Sequence, residues 1–301
     1  MKELSNKAIP KVSRSLLADF SKERENTDVG SKVKKSILYI LLVLGAATML
    51  IPFIWMVSTS LKTPGETVAM PPVWIPDILQ IGNYAEAFEA APFGRYFLNS
   101  VFVTVLSTAG ELITTILAAF AFAKIEFYGK NILFTLLIAT MMVPGEILII
   151  PNFVTLSNMG LINTYAALIV PYLASVFSVF MLKQSFQSVP KELHYAAKVD
   201  GCSDFRFLWT IMVPLAKSSI VAITILKIIG SWNAFMWPLI VTNDRALRTL
   251  PVGLQAFTTE AGTQYELLMA AATIVVIPMV IVYLFLQKYI IMGISKSGLK
   301  G

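Results

Sequence analysis

The sequence predicts an all-α membrane protein of six transmembrane helices with both termini in the cytoplasm. Three observations carry this. Of 301 residues, 56% are apolar and only 14% charged, and the mean hydropathy is +0.71. A soluble domain carries about 25% charged residues, so this chain lacks the polar surface of one. Six windows are apolar over roughly 20 residues, enough to cross about 30 Å of hydrocarbon. The basic residues between those windows fall mostly on alternate sides. β-Barrel strands would be shorter and would alternate, whereas these runs are continuous. The net charge of +6 does not mark a nucleic-acid partner, because its residues lie scattered between apolar runs instead of forming one face. Cys202 is the only cysteine and His194 the only histidine, so intrachain disulfides and the usual metal sites are excluded.

Residues 1–36 are polar, mixed in charge, and too long and acidic for a cleaved signal peptide. They are expected to be a cytoplasmic extension without fixed structure, ending in Lys32, Lys34 and Lys35. The membrane domain is then 37–301. Its first span is 37–57. The segment 58–96 holds Pro64, Pro71, Pro72, Pro76 and Pro92 with two short amphipathic stretches, longer than a simple connector. It either meets an external protein or caps the bundle. The remaining spans are 97–123, interrupted by Glu111; 132–150, interrupted by Glu146; 165–182; 220–241, interrupted by Lys227; and 267–286. The third and fourth run together without charge and are parted at Pro151 and the polar residues from Ser157 to Thr164. With the N-terminus inside, the segments 1–36, 124–131, 183–219 and 287–301 hold 19 Lys plus Arg, against 4 in 58–96, 158–164 and 242–266. That asymmetry sets the orientation.

A charge left in lipid costs about 2.5–3.5 kcal/mol or more, so Glu111, Glu146 and Lys227 must face the bundle interior, a watery cavity or another subunit. They either line a path for a polar solute or pair structurally, Lys227 with Glu111 or with Glu146. Pro144 and Pro151 break backbone bonding in or beside the third span and are candidate hinges. Trp232, Asn233, Phe235 and Trp237 offer aromatic faces and an amide suited to stacking on sugar rings. Aromatics at helical spacing also serve packing, and Trp237 also suits a membrane interface.

The inner loop 183–219 has its own pattern. Pro190 suits the first turn of a helix. Lys191 to Val199 is a good helix former, and Gly201 fits the left-handed position that ends it. Ser203 can cap a second short helix from Asp204 to about Met212, closed by Pro214. Asp200 either caps backbone or pairs with a partner, and His194 reads as a solvated loop residue. Two short helices so joined make a rigid knob for docking.

The run Ala196-Ala197-x-x-Asp200-Gly201, followed by Pro214-Leu215, resembles the cytoplasmic loop of ABC-importer permeases. Tyr195 stands where that family usually has Glu, and Glu192 lies one helical turn earlier. Asn99-Ser100, Met141-Met142-Val143-Pro144-Gly-Glu146, Trp232-Asn233-Ala-Phe235 with Pro238-Leu239, and Gln287-Lys-Tyr-Ile-Ile-Met-Gly293 with Lys300-Gly301 are similar to the carbohydrate branch, of the maltose and multiple-sugar type, second permease subunit. The resemblance implies a type I ABC importer permease fold in a bacterial or archaeal cytoplasmic membrane. It implies that Glu192, Tyr195, Ala196, Ala197, Asp200, Gly201 and Pro214 couple to a cytoplasmic ATPase dimer, which the tail also contacts through Lys296, Lys300 and Gly301. The ATPase would bind ATP and Mg; this chain would hold no cofactor, since it contains no Gly-x-x-x-x-Gly-Lys-Ser/Thr motif. The implied partners are a second, homologous permease and an extracytoplasmic solute-binding protein, with a carbohydrate, in the first instance an oligosaccharide, as substrate. Glycerol phosphate or another polar solute is the alternative. An independent secondary transporter would need internal repeats, which the chain does not display. An intramembrane Ser-His enzyme is opposed by the placement of the single histidine in the inner loop.

Overall fold

The computed structural model describes residues 11–260 and 262–295. Two compact units divide the chain, Met1–Val57 and Ser58–Gly301.

The first unit is helical. Helix α1 spans Lys11–Ser60 and passes through Pro52. From Lys34 to Ser60 it is apolar enough to cross a membrane, and its side chains from Ile37 to Leu44 all stand exposed. The extension expected to lack structure is therefore helical from Lys11 onward, while Met1–Pro10 lie outside the described residues. Its composition explains this: between Ser13 and Glu25 there is neither Gly nor Pro, and Leu, Ala, Lys, Glu and Arg dominate.

The second unit begins with a built segment, not a loose strap. Helices α2 (Pro64–Thr67) and α3 (Gly82–Ala90) follow in order. Glu66 accepts the N–H groups of Thr63 at 2.8 Å and Asp77 at 2.9 Å, and these bonds hold its carboxyl below the usual range. Asn83 Nδ2 donates to the carbonyls of Ser60 at 3.0 Å and Lys62 at 2.9 Å. Ala87 on α3 is fully buried.

Helix α4 (Phe93–Lys124) is the central rod, and three apolar clusters lie along it. Near its start Phe93 and Tyr96 pack with Phe257, Trp232 and Ala270; further on Val103 meets Leu168, Trp237 and Val241; near its end Ile116, Ala119 and Phe120 meet Leu182, Phe186, Phe207 and Met212. Helix α5 (Lys130–Thr140) leads to a 3-10 turn (Gly145–Leu148) and α6 (Ile149–Asn158), with a bend of 91° between the two limbs. The break sits at Pro144, which has φ −58° and ψ 130°, because proline lacks the N–H and disfavours helix in the residue before it. Pro151 does not part the spans as expected from sequence. It is the third residue of α6, where an N–H would have no intrahelical partner.

Helix α7 (Tyr165–Ile169) is capped by Thr164, tightens to a 3-10 turn (Val170–Tyr172) around Pro171, and meets α8 (Val176–Gln187), capped by Ser175, at 41°. Then come α9 (Lys191–Val199), α10 (Asp204–Phe207), a π-turn (Leu208–Met212), α11 (Val213–Leu215) and α12 (Lys217–Trp232). Pro214 does not close the second short helix. The helical path widens to π geometry just before it, which relieves the clash of its ring with the preceding turn. The path breaks instead at Ala216, where the limb Asp204–Leu215 meets α12 at 80°. Helices α13 (Met236–Val241) and α14 (Leu250–Gly253), a small antiparallel hairpin of β1 (Thr258–Thr259) and β2 (Gly262–Thr263), and α15 (Tyr265–Ser295) complete the described chain.

Among the described residues, three helices are long and apolar enough to cross a membrane, and three bent pairs pass the same test together. The connection after α13 is clamped to α4. Asn99 Nδ2 donates to the carbonyls of Ala246 at 2.8 Å and Arg248 at 2.9 Å, its Oδ1 accepts from Tyr165 at 2.7 Å, and Ser100 Oγ accepts the N–H of Leu250 at 2.7 Å.

Candidate functional site

Two places concentrate chemistry. The first is a cavity of about 360 Å³ between α4, α8 and α12. Glu111 on α4 is 4% exposed. Its Oε2 lies 2.7 Å from Lys227 Nζ on α12, and its Oε1 accepts from Ser178 Oγ on α8 at 2.7 Å. Lys227 also donates to the Tyr172 carbonyl at 3.0 Å and sits 5.1 Å from the Tyr172 ring centre. The proline at 171 places that carbonyl in a 3-10 turn, where it is free to accept. The intramembrane charges thus resolve as a Glu111–Lys227 pair. Glu146 stands exposed in the turn after Pro144 and forms no ion pair among the described residues.

The aromatic set divides. Trp232 is buried, donates its indole N–H to the Val275 carbonyl at 3.3 Å and meets Phe97 edge-on at 5.8 Å, so it faces α15. Trp237 lines the cavity, with its N–H given to the Ala167 carbonyl at 2.9 Å. Asn233 ends α12 and Phe235 precedes α13, both exposed. Sequence reasoning missed Ser178 and Thr249 as cavity residues. The signal for Ser178 was a polar pair, Ser175 and Ser178, in an otherwise apolar window; Thr249 is distant in sequence and gave none.

The second place is the pair of short helices α9 and α10. The turn between them is built by hydrogen bonds: Gly201 N–H to the Lys198 carbonyl at 3.0 Å and Cys202 N–H to the Ala197 carbonyl at 2.8 Å. With Gly201 at φ +71°, this is a Schellman termination. Ser203 Oγ accepts the Arg206 N–H at 3.3 Å to start α10. Asp204 then bridges back, with Oδ1 2.8 Å from His194 Nε2 and Oδ2 2.8 Å from Lys198 Nζ. The His194 ring stacks on Phe207 at 4.7 Å. It is half-buried, where sequence reading expected a solvated residue; ten positions separate it from Asp204, a spacing no helix period reports. Ala197 packs inward against the cluster of Phe186, Phe207 and Leu208, while Ala196 is exposed. Leu193, Tyr195, Val199 and Phe205 are also exposed, Val199 at 87%. Glu192 lies in the exposed first turn of α9, and Asp200, its C-cap, points no side-chain bond inward among the described residues. Pro214 lies in α11 and is exposed. Lys296, Lys300 and Gly301 lie outside the described residues.

A family model described as "Binding-protein-dependent transport system inner membrane component" matches residues 111–296, more than half of the chain. The chain belongs to this family. The permease is therefore an inner-membrane transport component of ABC importers and not an enzyme. It is 35% identical over 245 residues to the arabinooligosaccharides transport system permease protein AraQ of Halalkalibacterium halodurans, covering 81% of this chain and 86% of the relative. It is 31% identical over 268 residues to the sn-glycerol-3-phosphate transport system permease protein UgpE of Yersinia pestis, covering 86% and 95%. In fold it is similar to a chain of a bacterial ABC transporter involved in the import of the acidic polysaccharide alginate, with a TM-score of 0.75 at 24% identity over 86% of this chain and 96% of that one. The family match takes in both the Glu111–Lys227 pair and the α9–α10 pair.

Proposed function

We propose that the permease forms one half of the translocation pore of an ABC importer that carries a carbohydrate, an oligosaccharide in the first instance, into the cytoplasm. It crosses the membrane six times with both termini inside. A second, homologous permease supplies the other half, a solute-binding protein delivers the sugar toward the segment 58–96, and a cytoplasmic ATPase dimer supplies energy from ATP and Mg. The observation that carries this reading is the α9–α10 pair, whose short helices are held by a Schellman turn and an Asp204 bridge while Leu193, Tyr195, Ala196 and Val199 remain exposed. Exposed apolar side chains on a rigid support are what a docking face requires. Coupling then runs through Glu192, Tyr195, Ala196, Ala197, Asp200, Gly201 and Pro214, and the tail residues Lys296, Lys300 and Gly301 add a basic contact. Closure of the ATPase moves the bundle as a body and opens the pore to one side at a time.

Carbohydrate as cargo is supported by the likeness to AraQ. The likeness to UgpE supports glycerol phosphate as a second reading. The charges in the cavity favour the first, since Glu111 and Lys227 cancel and leave no net positive charge for a phosphate. The test is purification in mild detergent followed by reconstitution. The permease is expected to copurify with an ATPase and a second permease, and to move sugar only when ATP and a binding protein are present. Sugar uptake by this chain alone in liposomes would overturn the subunit reading.

A further inference from the structure

We infer that a basic pocket, where α4 and α8 end and α5 and α9 begin, holds the phosphate of an anionic phospholipid whose acyl chains lie along α5. Its assignment to the cytoplasmic leaflet rests on the orientation proposed above; the pocket and its charge do not.

The first support is charge. Four lysines line a recess of about 360 Å³. Lys124 closes α4, Lys130 opens α5, Lys183 lies near the end of α8 and Lys191 opens α9, so the fold gathers them from four elements. Glu126 shares the wall, and Glu192 lies near enough to Lys124 to offset part of its charge. Four lysines against two carboxylates leave a net charge of +2. Glu126 is 81% exposed, where water screens most of its pull. The lysines also repel one another, Lys183 against Lys130 and Lys124 against Lys191. An anion among them turns that repulsion into attraction.

The second support is unused donor capacity. An ammonium has three donors. Lys124 gives one to the Val189 carbonyl at 2.7 Å, and Lys130 gives to the Ile125 carbonyl at 2.8 Å and to Glu126 at 3.3 Å. Lys183 Nζ stands 3.5 Å from the centre of the Phe134 ring and has no hydrogen bond or ion pair among the described residues. Phe134 packs on Phe122 at 5.3 Å, and Phe122 on Phe127 at 5.9 Å. The ammonium therefore stands on an aromatic floor with its N–H groups left for a ligand oxygen.

The third support separates a lipid from a free anion. Helix α4, the pair α5–α6 and the pair α7–α8 are each long and apolar enough to cross a membrane. The lysines stand at the ends of all three, the level at which hydrocarbon gives way to headgroups. From Asn131 in the pocket wall a shallow groove continues over Ile132, Thr135 and Leu136, and Ile132 and Leu136 are exposed. In the loop between α4 and α5, Phe127 and Tyr128 are also exposed, and aromatic residues with basic neighbours settle at headgroup depth. A free phosphate would meet the lysines but leave the groove bare. A phospholipid fits both, with its charge in the pocket and its chains along α5.

The test is native mass spectrometry of the full-length permease in dodecyl maltoside, titrated with dioleoylphosphatidylglycerol, with dioleoylphosphatidylcholine as the zwitterionic comparator and inorganic phosphate as the free anion. Binding in detergent depends on neither the orientation nor the cargo, so its failure leaves both of those readings intact. Phosphatidylglycerol is expected to bind more tightly than phosphatidylcholine, and inorganic phosphate in large excess should not displace it. Lys183→Gln and Lys130→Gln should each weaken phosphatidylglycerol about fivefold and leave phosphatidylcholine unchanged. Lys183→Arg, which keeps the charge, should retain the affinity. Lys217→Gln is the control, because Lys217 is exposed and lies outside the pocket. If Lys130→Gln fails to fold, Lys191→Gln carries the same expectation from an exposed position. Equal binding of the two lipids, unchanged binding in the pocket variants, or an equal loss in Lys217→Gln overturns the site. Displacement by inorganic phosphate overturns its assignment to lipid. Loss of the lipid when the cognate ATPase is added would give the pocket to a protein, and overturns it too.

Discussion

His194 Nε2 lies 2.8 Å from Asp204 Oδ1, and this one contact ties together the two short helices on either side of Gly201. The stack of His194 on Phe207 and the bond from Lys198 to Asp204 act across the same turn. A ring contact and a charge-assisted bond of this kind are together worth about 1–2 kcal/mol when partly exposed. His194→Ala is therefore expected to speed amide hydrogen exchange in residues 191–212 by about tenfold, with little change elsewhere. Equal protection in the variant would show that the clip is not what stiffens the pair.

Gly201 at φ +71° makes a sharper prediction. No atom crowds the site, so the cost of a side chain there is backbone strain alone, about 1–2 kcal/mol and greatest for a β-branched residue. Gly201→Val is expected to insert and assemble but to hydrolyse ATP with reduced sugar uptake per ATP. Gly201→Asn, which tolerates this conformation, should keep most of the coupling. Uptake and phosphate release measured on the same proteoliposomes decide it, and full coupling in the valine variant would refute a role for the turn geometry.

The Glu111–Lys227 pair is buried enough that breaking one side strands the other. Glu111→Leu or Lys227→Leu alone should cost about 3–5 kcal/mol, whereas the double variant should return to within about 1–2 kcal/mol of the original. Thermal unfolding in detergent measures the cycle. Additive losses in the double variant would mean that the two residues do not act on each other.

Gly253 approaches the ring of Tyr96 so closely that an added Cβ would stand 2.5 Å from Cδ2 and 3.0 Å from Cε2. The ring is itself held among Phe93 and Phe257, so it cannot swing aside. Gly253→Ala should destabilise the permease by about 1–3 kcal/mol through overpacking, read as a lower melting temperature. An unchanged value would show that α14 shifts freely.

Asn99 carries three bonds from one amide, two given to the Ala246 and Arg248 carbonyls and one taken from Tyr165. Asn99→Ala leaves these groups without their partner and should cost about 2–3 kcal/mol. Asn99→Asp keeps the acceptor for Tyr165 but turns a carboxylate oxygen toward both carbonyls at a buried site, and should cost at least as much as Asn99→Ala. Limited proteolysis of the 242–250 connection reports the loosening, and equal resistance in all three proteins would count against the clamp.

What the sequence disclosed depended on the kind of signal. The helical class and the apolar windows follow from composition summed over many residues, and the structure is mostly helical in those windows, with breaks at 141–144, 173–175 and 233–235. Gly201 was readable because only one residue type suits a left-handed helix end, and the structure has it there. Directions were not readable. Trp232 and Trp237 sit five positions apart in one motif, yet one turns to α15 and the other to the cavity. Averaged hydropathy also says nothing about bends: the 80° change at Ala216 carries no glycine or proline at that position and arises where α11 ends and α12 begins. Pro151 misled for the opposite reason, since proline in a first turn is compatible with the helix.

The 80° joint at Ala216 has a mechanical meaning. The limb Asp204–Leu215 is about 18 Å long at 1.5 Å per residue, and it is stiffened at its free end by the tie to α9. Set nearly square to α12, it is a crank arm. A sideways push of about 3 Å on its tip corresponds to a turn of roughly 10° over that length, and because Phe207 and Met212 of the limb pack against α4 and α8, those helices would turn with α12 and its Lys227. A force that never enters the membrane would thus reach the Glu111 side of the bundle as torque.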